Sequence, residues 1–109
     1  MKFSVDQAGD VRRIILAGRL DADGVAKIES EFQEAAGAEP NVIVDMTDVP
    51  FVASLGIRML VTASKAQELL GGKLVLAGVD EMTQTILHTT GINILIPWFA
   101  TLEEAQSQF

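Results

Sequence analysis

Apolar and polar residues along this chain of 109 residues follow two periods, one typical of strands and one typical of helices. Residues 2–6 and 11–17 alternate as strands do, and the turn-forming residues 7–10 between them favour a hairpin. Residues 42–44 form an unbroken β-branched run, which is typical of a strand buried on both faces. We therefore place this run at the middle of a sheet.

The first helix is predicted from apolar residues at helical spacing, which are Val25, Ile28, Phe32 and Ala35. Asp21 and Asp23 precede these residues and are candidate N-caps. Gly37 and Pro40 follow them and predict the end of the helix.

A second helix is predicted from residue 55 to about residue 70, ended by Gly71 and Gly72. The residues expected to face inward are Leu60, Ala63, Ala66, Leu69 and Leu70. A polar stripe is expected on the other side, formed by Arg58, Thr62 and Lys65.

The rest of the chain continues the same alternation. Residues 73–77 predict a strand, and Asp80 can cap a helix that reaches about residue 90, with Met82 and Ile86 on one face. We expect a final strand at residues 93–96.

Thr101 and Glu104 match a capping box, so a short closing helix should follow. After the opening hairpin, strands alternate with helices, and this order predicts an α/β fold with a mostly parallel sheet in one domain, residues 1–109.

Composition excludes several classes of function. The chain has 15 acidic and 8 basic residues, a formal charge of -7 and no cationic patch, so a nucleic-acid partner is not expected. It has no cysteine, which excludes disulfides and thiolate chemistry and suits a reducing compartment. No signal peptide and no membrane-spanning run is expected, so we predict a cytoplasmic protein.

Few residues could carry catalysis. His88 is the one histidine, no known catalytic motif accompanies it, and a surface or packing role is the expected one, so neither an enzyme nor a cofactor is predicted. Asp45 and Asp48 could form a carboxylate pair for a metal or for acid-base work. The better interpretation is that an Asp at a strand end accepts hydrogen bonds from turn N–H groups.

Ser54 follows the central strand and stands at the start of the second helix. A serine there is commonly an N-cap. The same place offers free N–H groups and a helix dipole that favour a phosphate, so a modified or ligand-binding role stays open.

The segment VIVDMTDVPFVASLGIRML, followed by a helix and GGKLVLAG, resembles the core signature of the anti-sigma-factor antagonists, the STAS domain family. The upstream segment IILAGRLDADG and the downstream segment ILHTTGINILIPWFATLEEA resemble the family as well. The resemblance therefore covers nearly the whole chain.

The resemblance implies that Ser54 is phosphorylated by a partner that is both an anti-sigma factor and a serine kinase, and that a serine phosphatase reverses the step. It also implies that Asp21, Asp45 and Gly56 flank this site. The chain departs from the common pattern at the serine, because Ala53 replaces an acidic residue and Leu55 replaces a second serine.

Arg58 also stands where small residues are frequent in the family, and it lies one helical turn after Ser54, within reach of a phosphate. The partner-binding surface implied by the resemblance comprises Asp21, Asp45, Ala53, Leu55, Gly56, Arg58, Thr62 and Lys65. As to oligomeric state, we expect a monomer or a weak dimer.

Two alternatives remain at this point. One is a non-phosphorylated interaction subunit of the same fold, such as a stressosome component or the soluble partner of a lipid transporter. The other is a small enzyme or ligand-binding domain that uses Asp21, Asp45 and Ser54 around a pocket at the strand ends.

Overall fold

The structure is a computed structural model that describes residues 1–109. The chain forms five strands and five helices. The strands are β1 (Lys2–Ala8), β2 (Val11–Ala17), β3 (Asn41–Asp48), β4 (Lys73–Ala77) and β5 (Trp98–Phe99). The helices are α1 (Ala22–Gly37), α2 (Ser54–Leu69), α3 (Glu81–Thr89), α4 (Ile92–Leu95) and α5 (Leu102–Gln106). Their order along the chain is β1, β2, α1, β3, α2, β4, α3, α4, β5, α5.

The strands form one sheet in the order β1-β2-β3-β4-β5. β1 is antiparallel to β2, and every other neighbouring pair is parallel. The β1–β2 turn contains only Gly9 and Asp10, and Gly9 has a φ of 63°, which a glycine adopts without strain. The predicted α/β class, the mixed sheet and the opening hairpin are confirmed.

Helices cover the two faces of the sheet unequally. One face carries a core of 20 buried residues, to which α1 contributes Phe32, α2 contributes Met59 and α3 contributes Leu87. The other face carries a cluster of only five buried residues, of which Ala105 belongs to the short helix α5. The long helices α1 and α2 therefore pack side by side on the same face.

Three side-chain caps predicted from the sequence are present. Asp21 accepts a hydrogen bond from the Gly24 N–H, Asp80 from the Thr83 N–H, and Thr101 from the Glu104 N–H. Each cap satisfies an N–H group that has no partner within its own helix. α1 ends at Gly37, as predicted.

The strand predicted at residues 93–96 is wrong. Gly91 adopts a φ of 76° and starts the short helix α4, which Ile96 closes by donating its N–H to the Ile92 carbonyl. The last strand lies further on, where Trp98 pairs with Leu76. The apolar run misled the prediction because only Ile96 of this segment is fully buried, whereas Ile94 is 83% exposed.

The prediction of which residues of the second helix face inward is also partly wrong. Leu60 and Ala63 are buried as predicted, but Leu69 is 90% exposed and Leu70 is 49% exposed. Gln67 takes the inward position near the end of α2, where its amide donates to backbone carbonyls at the end of α1. These hydrogen bonds offset the cost of burying the amide nitrogen, whereas the Gln67 Oε1 is buried without a hydrogen-bond partner.

α3 shows the same kind of shift. Met82 and Ile86 share a face of α3, but Met82 is 62% exposed, and the buried residues of α3 are Thr83 and Leu87. None of the helices is both long enough and apolar enough to cross a bilayer.

Candidate functional site

Ser54 is the first residue of α2 and is exposed. The N-cap position belongs to Ala53, whose backbone is extended, and no side chain caps the helix. The first turn also contains no acidic residue. The expectation that Ser54 caps the helix is therefore wrong, and its hydroxyl remains available at a helix start whose N–H groups lack a side-chain acceptor.

The backbone before Ser54 is fixed by the loop that follows β2. The Leu20 N–H donates to the Phe51 carbonyl at 2.9 Å, and the Ala53 N–H donates to the Leu20 carbonyl at 3.0 Å. Leu20 also forms an isolated parallel bridge with Val52. The backbone that leads into Ser54 is therefore held by hydrogen bonds to Leu20, although the side chain of Ser54 is exposed.

Gly56 allows α2 to approach Leu20 closely. A Cβ atom at Gly56 would lie 2.7 Å from the Leu20 carbonyl oxygen and 2.8 Å from its Cγ, closer than real side chains come. Gly56 therefore has a steric role in the packing of α2 against Leu20.

Arg19 and Asp21 are the neighbours of Leu20 in the loop between β2 and α1. The Arg19 guanidinium lies 4.3 Å from the centre of the Phe51 ring, and its Nε lies 3.4 Å from an Asp21 carboxylate oxygen. The Gly24 N–H, and secondarily Arg19, stabilise the charged carboxylate and hold the pKa of Asp21 below its ordinary value.

The cap at Asp21 should make stability depend on pH. Because its pKa is lower in the folded chain, the stabilisation is complete above about pH 4, the ordinary Asp value, and is lost as the pH falls through the lower folded pKa. We expect Asp21→Asn, which keeps an acceptor oxygen but no charge, to remove this contribution. Urea unfolding of both proteins along a pH series tests it, and a stability difference that does not change with pH would contradict it.

A groove of about 490 Å³ runs between α1 and α2 on one side of Ser54. Arg58 is its one basic residue and Glu29 its one acidic residue, and Leu55 and Thr62 also line it. Arg58 and Thr62 are exposed, as the predicted polar stripe requires, and so is Lys65 further along α2.

A second groove, also of about 490 Å³, lies on the other side of the α2 start. Ser54 stands in its wall beside Phe51 and Ile57, and α3 and α4 supply Ile86 and Ile92. The sequence pattern does not predict this apolar wall, because Ile86 and Ile92 come from two short helices and the pattern of the second one favours a strand. The break at Gly91 was the signal that could have revealed it.

Asp45 lies away from Ser54. Its carboxylate accepts hydrogen bonds from the Thr47 N–H at 3.0 Å and the Thr47 hydroxyl at 2.6 Å, which confirms the turn-stabilising interpretation. Along β3 it alternates with Val44 and Met46 of the large core, so its side chain is on the sheet face opposite the long helices.

The other candidates for chemistry are also separate. No cavity is lined by Asp21, Asp45 and Ser54 together, and no group of three acidic, histidine or cysteine residues could hold a metal ion. His88 is exposed in the last turn of α3, in agreement with a surface role.

Comparisons with known proteins agree on one family. The family model described as the STAS domain matches residues 2–105 of this chain. No curated protein sequence matches it significantly.

Among solved structures, an anti-sigma-factor antagonist (STAS) domain protein from Planctomyces limnophilus is 30% identical, with a TM-score of 0.84, and the match covers 94% of this chain and 92% of that one. An anti-sigma factor antagonist from Mycobacterium paratuberculosis is 21% identical, with a TM-score of 0.81 and coverage of 98% and 92%. The Bacillus cell fate determinant SpoIIAA, solved in its phosphorylated form, is 21% identical, with a TM-score of 0.73 and coverage of 98% of both chains. The last two likenesses concern the fold.

Proposed function

This chain belongs to the STAS domain family, and from that membership we propose that it is an anti-sigma-factor antagonist whose partner binding is controlled by phosphorylation of Ser54. The observation that carries the proposal is the exposed Ser54 hydroxyl, which begins α2 and does not cap it. A relative of the same fold, SpoIIAA, has been solved in a phosphorylated form, which supports the proposal by analogy.

The partner acts on Ser54 as a serine kinase that uses ATP. The Ser54 oxygen forms a bond to the γ-phosphorus, the bond from that phosphorus to ADP breaks, and the hydroxyl proton passes to a base of the kinase. A serine phosphatase then hydrolyses the phosphoserine to restore the hydroxyl. The chain itself is the substrate and supplies no catalytic group.

The partner surface that we propose surrounds the start of α2. Ala53 and Leu55 flank Ser54, Gly56 lies at the contact between α2 and Leu20, and Asp21 caps the neighbouring helix α1. Arg58, Thr62 and Lys65 extend the surface along the exposed side of α2. Asp45 stabilises the end of β3 on the opposite face of the sheet. It therefore affects partner binding indirectly, by holding the end of that strand in place.

Affinity capture from the native cell, with intact-mass analysis of the recovered chain, tests the proposal. We expect the mass of one phosphate on the parent and none on Ser54→Ala, since Ser54 is the acceptor. We expect both proteins to capture a partner that contains an ATP-binding kinase domain. A parent chain that never carries phosphate and captures no such partner would contradict the proposal.

A non-phosphorylated interaction subunit, in a stressosome or beside a lipid transporter, is the second candidate. The observation that favours it is the environment of Ser54, where Ala53 and Leu55 provide no polar group and the first turn of α2 has no acidic residue. Stable co-purification with a transporter ATPase, without any mass change at Ser54, would support this candidate over the first.

A further inference from the structure

We propose that Arg58 binds the phosphate of phosphorylated Ser54 and thereby leaves the groove between α1 and α2. The inference rests on the proposed function, since it concerns what the modified serine does. In this role, Arg58 links phosphorylation at the start of α2 to a change in the charge of the groove between α1 and α2.

The spacing of the two residues is the first argument. Ser54 and Arg58 are four residues apart in a continuous helix of 16 residues, so their side chains lie one above the other on the same face. Both side chains are exposed, and no packing prevents the guanidinium from turning toward the helix start. An Arg pairs with phosphate oxygens through two parallel N–H donors.

The second argument is that Arg58 has no carboxylate partner. The ion pairs of this chain are formed by Arg12, Arg13 and Arg19. Arg19, the other arginine near the start of α2, already contacts Asp21 and the Phe51 ring. A phosphate on Ser54 therefore meets one arginine that is occupied and one that is not.

Charged groups on the neighbouring elements favour the same choice. Arg19 and Asp21, from the loop before α1, largely balance one another. On α1, Glu29 lines the groove that contains Arg58, and it repels a phosphate there. On the α3 and α4 side, Ile86, Thr90 and Ile92 line the groove beside Ser54, and they carry no charge. Arg58 is thus the nearby cation that can bind the phosphate without breaking an existing ion pair.

The movement has a consequence for the surface. Arg58 is the one basic residue that lines the groove between α1 and α2, and Glu29 is the one acidic residue. When Arg58 turns to the phosphate, the groove keeps Glu29 and loses its one basic side chain. A single phosphorylation therefore adds negative charge at Ser54 and also removes a positive charge from an adjacent surface.

The experiment measures the second pKa of the phosphate in chains that carry phosphoserine at position 54 from synthesis, so no kinase is needed. A ³¹P NMR titration compares the parent with Arg58→Gln, Arg58→Lys and Lys65→Gln. Arg58 stabilises the dianion, so we expect Arg58→Gln to raise this pKa by about 0.5 unit, with Arg58→Lys in between. Backbone N–H groups at the start of α2 act equally in every variant, so the difference isolates Arg58.

Lys65→Gln is the matched control, because it removes the same charge from an exposed position on α2 that lies about three turns from Ser54. We expect Lys65→Gln to leave the second pKa of the phosphate unchanged. We also expect all the variants to have the same stability to unfolding by urea. Equal pKa values in the parent and Arg58→Gln would overturn the proposal. Failure of the proposed function is a separate result, since a chain never phosphorylated in the cell would still show the Arg58 effect in this titration.

Discussion

Phosphorylation of Ser54, or its replacement by Asp, is expected to weaken partner binding at least about thirtyfold, which corresponds to about 2 kcal/mol. Ser54 is exposed in the wall of an apolar groove, beside Phe51, Ile57 and Ile92. A partner that covers this wall would exclude water from the serine. A phosphate brings a charge of about -1.5 to -2 to that place, and removing that charge from water is costly even when Arg58 pairs with it.

The measurement is titration calorimetry of the captured partner with the parent, Ser54→Ala, Ser54→Asp and the phosphoserine chain. Ser54→Ala should bind as the parent does, because Ser54 has no capping role to lose. Leu69→Asp is the matched control, since it adds one negative charge at a 90% exposed position at the far end of α2. Tighter binding by Ser54→Asp would reverse the sign of the switch, and equal binding by all proteins would refute it.

The parts of the fold that the sequence predicted well are those in which one local signal acts alone. Asp21, Asp80 and Thr101 cap their helices because each precedes a helical pattern and has an acceptor oxygen. The run at residues 42–44 lies in the middle strand because a continuous apolar run suits a strand covered on both faces.

The errors occurred where tertiary contacts decide between two locally acceptable structures. Residues 93–96 suit a strand or a helix, and the positive φ of Gly91 starts a helix there. At the end of α2, the apolar pattern favoured Leu69, but Gln67 faces inward because carbonyls near the end of α1 accept its hydrogen bonds. Those carbonyls are distant in sequence, and no local pattern reports them.

The site was predicted in the same uneven way. Ser54 and Arg58 could be proposed from the sequence because both lie within one continuous segment, whose resemblance and helical spacing could be read together. Ile86 and Ile92, which complete the wall beside Ser54, belong to other helices and lie more than thirty residues after Ser54 in sequence. Asp45 was grouped with the site because strand ends gather at one edge, but strand alternation turns its side chain to the other face of the sheet.

Gly56→Ala is expected to destabilise the fold by about 1–3 kcal/mol and to weaken partner binding even where the chain is fully folded. In most exposed helix positions this change would stabilise, because Ala has the higher helix propensity. Here the added Cβ would meet the Leu20 carbonyl oxygen at 2.7 Å and must push α2 away from the loop that supports it. That displacement would also strain the hydrogen bond from Ala53 to Leu20, which fixes the position of Ser54.

Gly37→Ala supplies the matched control, because a Cβ at Gly37, the last residue of α1, would meet no atom within 4 Å. Urea unfolding should therefore show opposite signs, a loss for Gly56→Ala and a gain of up to about 1 kcal/mol for Gly37→Ala. Binding measured well below the unfolding transition separates the two effects, since a purely global loss of stability would leave affinity unchanged there. If Gly56→Ala matches the parent in both measurements, close packing of α2 on Leu20 does not position Ser54.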